Sequence, residues 1–157
     1  MPLKYQVPDD KKVRVIVDSD AACEADDPFA IAHALLCDKF IVKAIFAEHF
    51  NCEGSMKQSF EEIQRVVKAM KKEVPVLMGE IGKMSEKGTG EISEASSFLI
   101  REALREDDKP LYVLCIGAIT NIASAIQACP DIVPHMTVVW IGGQSHEHST
   151  GEVREFN

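Results

Sequence analysis

The chain has 157 residues, of which 46% are apolar and 27% are charged, and its formal net charge is −8. This composition is typical of one globular domain and excludes a disordered or fibrous chain. The negative charge argues against nucleic acid or an anionic membrane as the main partner, because both attract clustered Lys and Arg, and it favours a cation. Five scattered cysteines without a CxxC pair, together with the lack of a targeting signal or membrane-length apolar run, predict a cytoplasmic protein with reduced thiols.

Strands and helices alternate along the sequence. Continuous apolar runs predict five buried strands, at 13–17, 40–47, 74–78, 111–116 and 136–141. Helical spacing of apolar residues predicts four helices: one from Asp27 as N-cap and Pro28 as first helical residue to Cys37, one over 55–72, one that Ser93 caps, and one over 119–129. This order implies an α/β fold, in which residues 1–157 form part of one domain with an open parallel sheet and helices on both faces.

Polar residues follow each predicted strand, and the carboxyl ends of parallel strands meet at the edge of the sheet where ligands bind. The most acidic of these segments, VDSDAACEADDP over 17–28, follows the first strand. Neighbouring carboxylates raise each other's pKa unless a cation is present, and Ca²⁺ and Mg²⁺ both prefer oxygen ligands. Asp26 and Asp27 are also explained by favourable charge or capping at a helix N-terminus, so the alternative stays open for these two residues.

Four segments of the sequence resemble the inosine-uridine type of nucleoside hydrolase. These are calcium enzymes that hydrolyse the N-glycosidic bond of ribonucleosides. The segment DSDAACEADD resembles the family's DxDPGxDD with two additional residues and without Pro-Gly, and ITNIA over 119–123 resembles LTNIA. WIGG followed by EFN resembles the family's MGG and EFN, and AIFAEHFN resembles its strand ending in GN. The resemblance therefore extends over nearly the whole chain.

This resemblance implies a Ca²⁺ site and a ribose site at the same edge of the sheet. Asp20 would coordinate Ca²⁺ and act as general base on the metal-bound water, Asp27 would be a second ligand, and Thr120 would add its backbone carbonyl. Asp18 would orient the loop from behind the ligands. Four further side chains would hydrogen-bond the ribose hydroxyls: Asp26, Asn51, Glu155 and Asn157. The partner would be a ribonucleoside or another ribosyl compound, and we also expect a homo-oligomer.

Three departures from the family pattern mark a divergent branch. The acidic loop contains the additional residues around Cys23 and Glu24, and Ser149 replaces a ribose-binding asparagine. Family members are about twice as long, and their second half would supply a further aspartate ligand and groups near the base. The chain is therefore interpreted either as a fragment of a longer product or as a short form that is inactive alone.

Two other functions fit parts of the sequence. VIVDSDA resembles the strand-end motif of haloacid-dehalogenase-like phosphatases, with Asp18 as nucleophile and Mg²⁺ as cofactor, although that family does not account for ITNIA or EFN. A non-catalytic half-domain that binds Ca²⁺ or ribose is the second alternative. His146 and His148 fit either a transition-metal site or an exposed loop, and His49 fits either a substrate contact or a cap on the sheet edge.

Overall fold

The computed structural model describes residues 6–84 and 92–143. These residues form five strands, which are β1 (Val13–Ser19), β2 (Phe40–Ala47), β3 (Val76–Met78), β4 (Leu111–Cys115) and β5 (Thr137–Trp140). The helices between them are α1 (Asp26–Leu36), α2 (Ser55–Ala69), α3 (Glu94–Ala103) and α4 (Thr120–Ala128). Two short 3-10 helices, Asp9–Lys11 and Pro130–His135, precede β1 and β5.

The strands form one parallel sheet in the order β3-β2-β1-β4-β5. The predicted α/β fold with an open parallel sheet of five strands is therefore confirmed. Because β1 is the central strand, the residues that follow it lie between the ends of β2 and β4. That arrangement places the acidic segment in the middle of the carboxyl edge, where a parallel sheet binds ligands.

Two apolar layers cover the two faces of the sheet. On one face, Val15 and Val17 of β1 pack in a cluster with residues of α1 and α2, including Ile31 and Ile63. On the other face, Ile16 of β1 belongs to a cluster with residues of α3 and α4. Burial of one such aliphatic side chain stabilises the folded state by about 1.5–3 kcal/mol. The two apolar clusters therefore hold the helices against both faces of the sheet. Within the described ranges, no helix is long and apolar enough to cross a membrane.

Two boundaries near the acidic segment differ from the sequence prediction. Strand β1 continues for two residues beyond Val17, because the carbonyls of Asp18 and Ser19 accept hydrogen bonds from the neighbouring segments. The prediction of Asp27 as N-cap of α1 is wrong, since the helix begins at Asp26 and Ala25 occupies the capping position. Asp27 lies inside the first turn instead, and its carboxylate accepts a hydrogen bond from Ser19. The predicted cap of α3 is confirmed, as Ser93 Oγ accepts from the Ser96 N–H at 3.2 Å.

Candidate active site

The carboxyl ends of β1, β2 and β4 bring four of the predicted site residues to one edge of the sheet. Asp18 is the penultimate residue of β1, and Asp20 directly follows this strand. Asn51 lies in the turn between β2 and α2, while Thr120 is the first residue of α4, which follows β4. The backbone joins the strand ends tightly, because Glu48 N–H donates to Ser19 O and Ile116 N–H donates to Asp18 O, both at 2.9 Å.

Asp20 and Asp27 form a pair of carboxylates in the loop and first turn after β1. Each residue is only 5% exposed, and Ser19 Oγ donates a hydrogen bond to Asp27 Oδ1 at 2.5 Å. Burial raises the pKa of Asp20 to about 6, and the charge of Asp27 adds to this increase. Burial likewise raises the pKa of Asp27, against the opposing effect of the Ser19 hydrogen bond. The two carboxylates therefore interact unfavourably with each other when both are ionised.

Asp18 lies behind this pair and is completely buried. The Asn121 side chain donates from Nδ2 to Asp18 Oδ1 at 2.8 Å, whereas Asp18 Oδ2 has no hydrogen-bond partner among the described residues. Burial raises the pKa of Asp18 to about 7, although the hydrogen bond from Asn121 opposes the increase. Asp18 thus lies inside the sheet, and the supporting role that the family resemblance implies for it stays a prediction.

Asn121, the asparagine of ITNIA, connects three strand ends. Its Nδ2 also donates to Ala47 O at 3.2 Å, and its Oδ1 accepts from the Glu80 N–H at 2.7 Å. Its backbone N–H donates to Glu48 Oε2 at 3.0 Å. The carboxylate of Glu48 therefore accepts from an N–H in the first turn of α4 that has no acceptor within the helix. The helix dipole favours a negative charge at this end of the helix.

Glu48 is a second completely buried carboxylate at this edge. In addition to Asn121, it accepts a hydrogen bond through Oε1 from the His49 N–H at 3.1 Å. Burial and then the charge of Asp18 raise the pKa of Glu48 well above its usual range. The site therefore contains acidic groups at two depths, with Asp18 and Glu48 behind and the Asp20–Asp27 pair in front.

Asn51 and Thr120 are joined through His49. The imidazole Nε2 lies 3.0 Å from Thr120 Oγ1, and Nδ1 accepts a hydrogen bond from the Asn51 N–H at 3.2 Å. Asn51 is exposed and has a left-handed backbone with φ 59°. Sequence reasoning left the role of His49 open, and the structure shows that its ring contacts both neighbouring site segments.

The remaining predicted site residues lie at the margin of the described structure or outside it. Asp26 is exposed at the start of α1, and its charge contributes to the raised pKa values of Asp20 and Asp27. Glu155 and Asn157 lie outside the described residues, as do His146 and His148. Across 6–84 and 92–143, no group of three or more His, Cys, Asp or Glu side chains is arranged to hold a metal ion. In the described part of the site, the carboxylates available to a metal ion are therefore those of Asp20 and Asp27.

Sequence reasoning missed the roles of Glu48 and Asn121. Both residues belong to recognisable motifs: Glu48 follows the second strand directly, and Asn121 is the third residue of ITNIA. The signal was present, because a buried strand followed at once by a charged residue places that residue at the ligand edge. What the sequence does not reveal is that these two residues, 73 positions apart, contact each other.

Cys23, in the two-residue insertion, is partly buried beside the acidic pair. Burial and the charge of Asp20 raise the pKa of its thiol. Because the thiolate is the nucleophile and the metal ligand, this increase disfavours the reactive form of Cys23.

A family model described as inosine-uridine preferring nucleoside hydrolase matches residues 15–157. The chain belongs to this family. The resemblance predicted from the sequence motifs is thereby confirmed, and the match extends from Val15 in β1 through the acidic edge to the end of the chain.

Individual nucleoside hydrolases match the chain over different lengths. The chain is 36% identical over 66 residues to the non-specific ribonucleoside hydrolase RihC of Escherichia fergusonii, a match that covers 41% of this chain and 22% of that protein. A solved inosine-guanosine nucleoside hydrolase superposes with a TM-score of 0.66 and 22% identity, covering 85% of this chain and 48% of the other. An inosine-uridine preferring nucleoside hydrolase from Bacillus anthracis gives a TM-score of 0.64 with 14% identity, covering 84% and 51%. These structures show the shared fold, and the chain spans about half of their length.

Proposed function

We propose that the chain forms the calcium- and ribose-binding part of a ribonucleoside hydrolase, which converts a ribonucleoside and water to ribose and the free base. The observation that supports this proposal most is the pair of buried carboxylates, Asp20 and Asp27, at the carboxyl end of the central strand in a member of this family. The predicted homo-oligomer and cytoplasmic location stay predictions.

The chemistry of the acidic pair fits a hard divalent cation. Both carboxylates are buried beside each other, and the pKa of each is raised, so their ionised forms are unfavourable without a positive charge nearby. Ca²⁺ binds carboxylates together with backbone carbonyls in flexible geometry. Asp20, Asp27 and the Thr120 carbonyl would hold the ion, which when bound would lower the pKa of a water molecule and bind ribose hydroxyls.

The side chains of the site can then perform the remaining chemistry. A pKa of about 6 allows Asp20 to be ionised at neutral pH and to accept a proton from the attacking water. Asp26 and Asn51, on the exposed side of the pair, would hydrogen-bond the ribose hydroxyls. The water oxygen forms a bond to C1′ while the bond from C1′ to the base nitrogen breaks. The base leaves with the electron pair and takes up a proton from solvent, and Asp20 releases the proton it accepted to solvent. Carboxylates near the sugar stabilise the positive charge that develops on the ribosyl group.

A second candidate is a half-domain that binds Ca²⁺ and ribose without catalysis. This candidate needs only the buried Asp20–Asp27 pair as ligands and assigns no catalytic role to Asp20. The phosphatase alternative is disfavoured, because its nucleophile would be Asp18, which is completely buried and hydrogen-bonded to Asn121. A carboxylate in that position does not reach a phosphate ester.

The proposal is tested by measuring ribose release from a panel of purine and pyrimidine ribonucleosides, with Ca²⁺ or with a chelator. We expect ribose release only with Ca²⁺, and a decrease of at least about 100-fold in Asp20→Asn, since a general base contributes about 10²–10⁴-fold. Asp10→Asn, which changes an exposed carboxylate before β1, is the matched control and should retain full activity.

Two other outcomes separate the candidates. Calcium binding without ribose release from any nucleoside would support the non-catalytic half-domain. Release of phosphate from a phosphomonoester with Mg²⁺, and no release of ribose, would contradict the hydrolase proposal.

A further inference from the structure

His49 occupies an unusual position between the two predicted binding functions of the site. It is 3% exposed, and it follows β2 at the carboxyl edge of the sheet. Its Nε2 lies 3.0 Å from Oγ1 of Thr120, the predicted carbonyl ligand, and its Nδ1 accepts from the N–H of Asn51, the predicted ribose contact. A single buried ring therefore contacts residues from both halves of the proposed site.

The hydrogen bonds assign one tautomer to this ring. The Asn51 backbone N–H can only donate, so Nδ1 must be the unprotonated nitrogen that accepts. In a neutral imidazole, the proton then lies on Nε2, which donates to Thr120 Oγ1, with Glu48 Oε1 3.4 Å away as a more distant acceptor. Burial lowers the pKa of His49, and the charge of Lys83 lowers it further, which favours the neutral ring.

The two contacts connect His49 to one backbone segment on each side of the ring. Asn51 has a left-handed conformation, which is uncommon for a residue other than glycine, and the hydrogen bond from its N–H to His49 stabilises this turn. On the other side, α4 has no side-chain cap from its own N-cap residue, Ile119. Its first turn is held instead by Glu48 through the Asn121 N–H and by His49 through Thr120 Oγ1.

We propose that His49 is a positioning residue that sets the Thr120 carbonyl for the cation through Nε2 and the Asn51 turn for the ribose through Nδ1. This inference rests on the proposed function, because it assigns the two contacts to the two ligands of that site. The simpler alternative is that His49 is a buried histidine whose hydrogen bonds only satisfy polar groups at the sheet edge. That alternative predicts a loss of stability when His49 is replaced, but no separation between cation and ribose binding.

Two substitutions separate the two contacts of the ring. The side-chain oxygen of asparagine lies at the position of Nδ1, so His49→Asn can still accept from the Asn51 N–H but does not reach Thr120. The amide nitrogen of glutamine lies near the position of Nε2, so His49→Gln can still donate to Thr120 but lacks the acceptor for Asn51. His33→Gln, at an exposed position of α1, is the control.

The experiment measures CaCl₂ affinity and D-ribose affinity in the presence of Ca²⁺ by calorimetry, using the full 157-residue chain. We expect His49→Asn to weaken Ca²⁺ binding by at least about tenfold, as is usual when a group that orients a metal ligand is lost, while ribose affinity at saturating Ca²⁺ is retained. His49→Gln should show the reverse, with weaker ribose binding and retained Ca²⁺ affinity. Equal losses in both variants, or no loss in either, would overturn the proposal.

Nitrogen-15 NMR of the wild-type imidazole gives a readout that does not depend on the proposed function. The expected spectrum has a protonated Nε2 and an unprotonated Nδ1, and a protonated Nδ1 would overturn the arrangement. If the wild-type chain has this tautomer but binds neither Ca²⁺ nor ribose, the proposed function fails, and with it the assignment of the two contacts to those ligands.

Discussion

At the scale of single residues, Asp18 has an unusual environment. Its carboxylate is completely buried in the central strand, with one oxygen bonded to Asn121 and the other without a partner among the described residues. An unpaired buried carboxylate is normally avoided, since desolvation of its charged form costs free energy. The sequence predicted Asp18 as a supporting residue but could not predict this burial, because β1 was expected to end at Val17.

Part of the pH dependence of stability follows from the pKa of Asp18, as the raised pKa values of the other site carboxylates act in the same direction. Its folded-state pKa of about 7 is higher than the usual 3.8, so the folded chain binds more protons than the unfolded chain between these values. The stability that this group contributes is therefore fully present below about pH 4 and is lost as the pH rises toward about 7. In chelator, we expect Tm to decrease by at least about 4 °C between about pH 5 and about pH 8, as 1 kcal/mol corresponds to about 2–4 °C for this size.

Asp18→Asn should reduce this pH dependence. In the variant, Oδ1 can still accept from Asn121, and a neutral amide group replaces the oxygen that has no partner. We expect a higher Tm than that of the wild type at about pH 8 and a flatter profile in thermal melts. Asp38→Asn, at an exposed position, serves as control, and an unchanged slope in Asp18→Asn would show that the carboxylate is not responsible.

At the scale of elements, the turn from β4 to α4 determines how much space Asp20 has. A Cβ atom placed on Gly117 would lie 2.5 Å from Asp20 Oδ1 and 2.8 Å from Asp20 Cγ. The turn cannot easily move away, because Trp140 Nε1 donates to Gly117 O at 2.9 Å. Glycine at this position therefore allows the β4–α4 turn to pack directly against the carboxylate.

Gly117→Ala should displace the Asp20 side chain and weaken Ca²⁺ binding by at least about tenfold, similar to the loss of other groups that orient a metal ligand. The measurement is a calorimetric Ca²⁺ titration of the folded variant. Gly82→Ala is a matched control, since a Cβ at that position meets no atom within 4 Å. Equal Ca²⁺ affinity in the two variants would mean that Asp20 does not hold the ion.

Sequence patterns predicted elements better than their boundaries. Mainly apolar runs located the five strands of the described sheet, because strands buried on both faces contain few polar residues. The start of α1 was predicted two residues too late, at Pro28 instead of Asp26, because capping preferences do not reveal that Ser19 binds the Asp27 carboxylate. Long-range partners of this kind come from the packing of the sheet and are not encoded in local spacing.

At the scale of the whole molecule, the site is built from the ends of three adjacent strands. The strand-end rule predicted this edge from the sequence, and the family motifs predict Asp20 and Asp27 as the ligands there, which stays a prediction. The rule could not predict the network behind them, in which Glu48 and Asn121 meet across the sheet. In the described part of the chain, β5 pairs only with β4, and Val139 and Ile141 are partly exposed beside it. The chain spans about half the length of the solved relatives.

The most direct test of the proposed function is a crystal structure of the chain grown with CaCl₂, with the ion identified by its anomalous signal. We predict one Ca²⁺ ion in contact with the carboxylates of Asp20 and Asp27 and with the carbonyl of Thr120. The absence of an ion between Asp20 and Asp27 at saturating Ca²⁺, or an ion bound only at another place, would contradict the account.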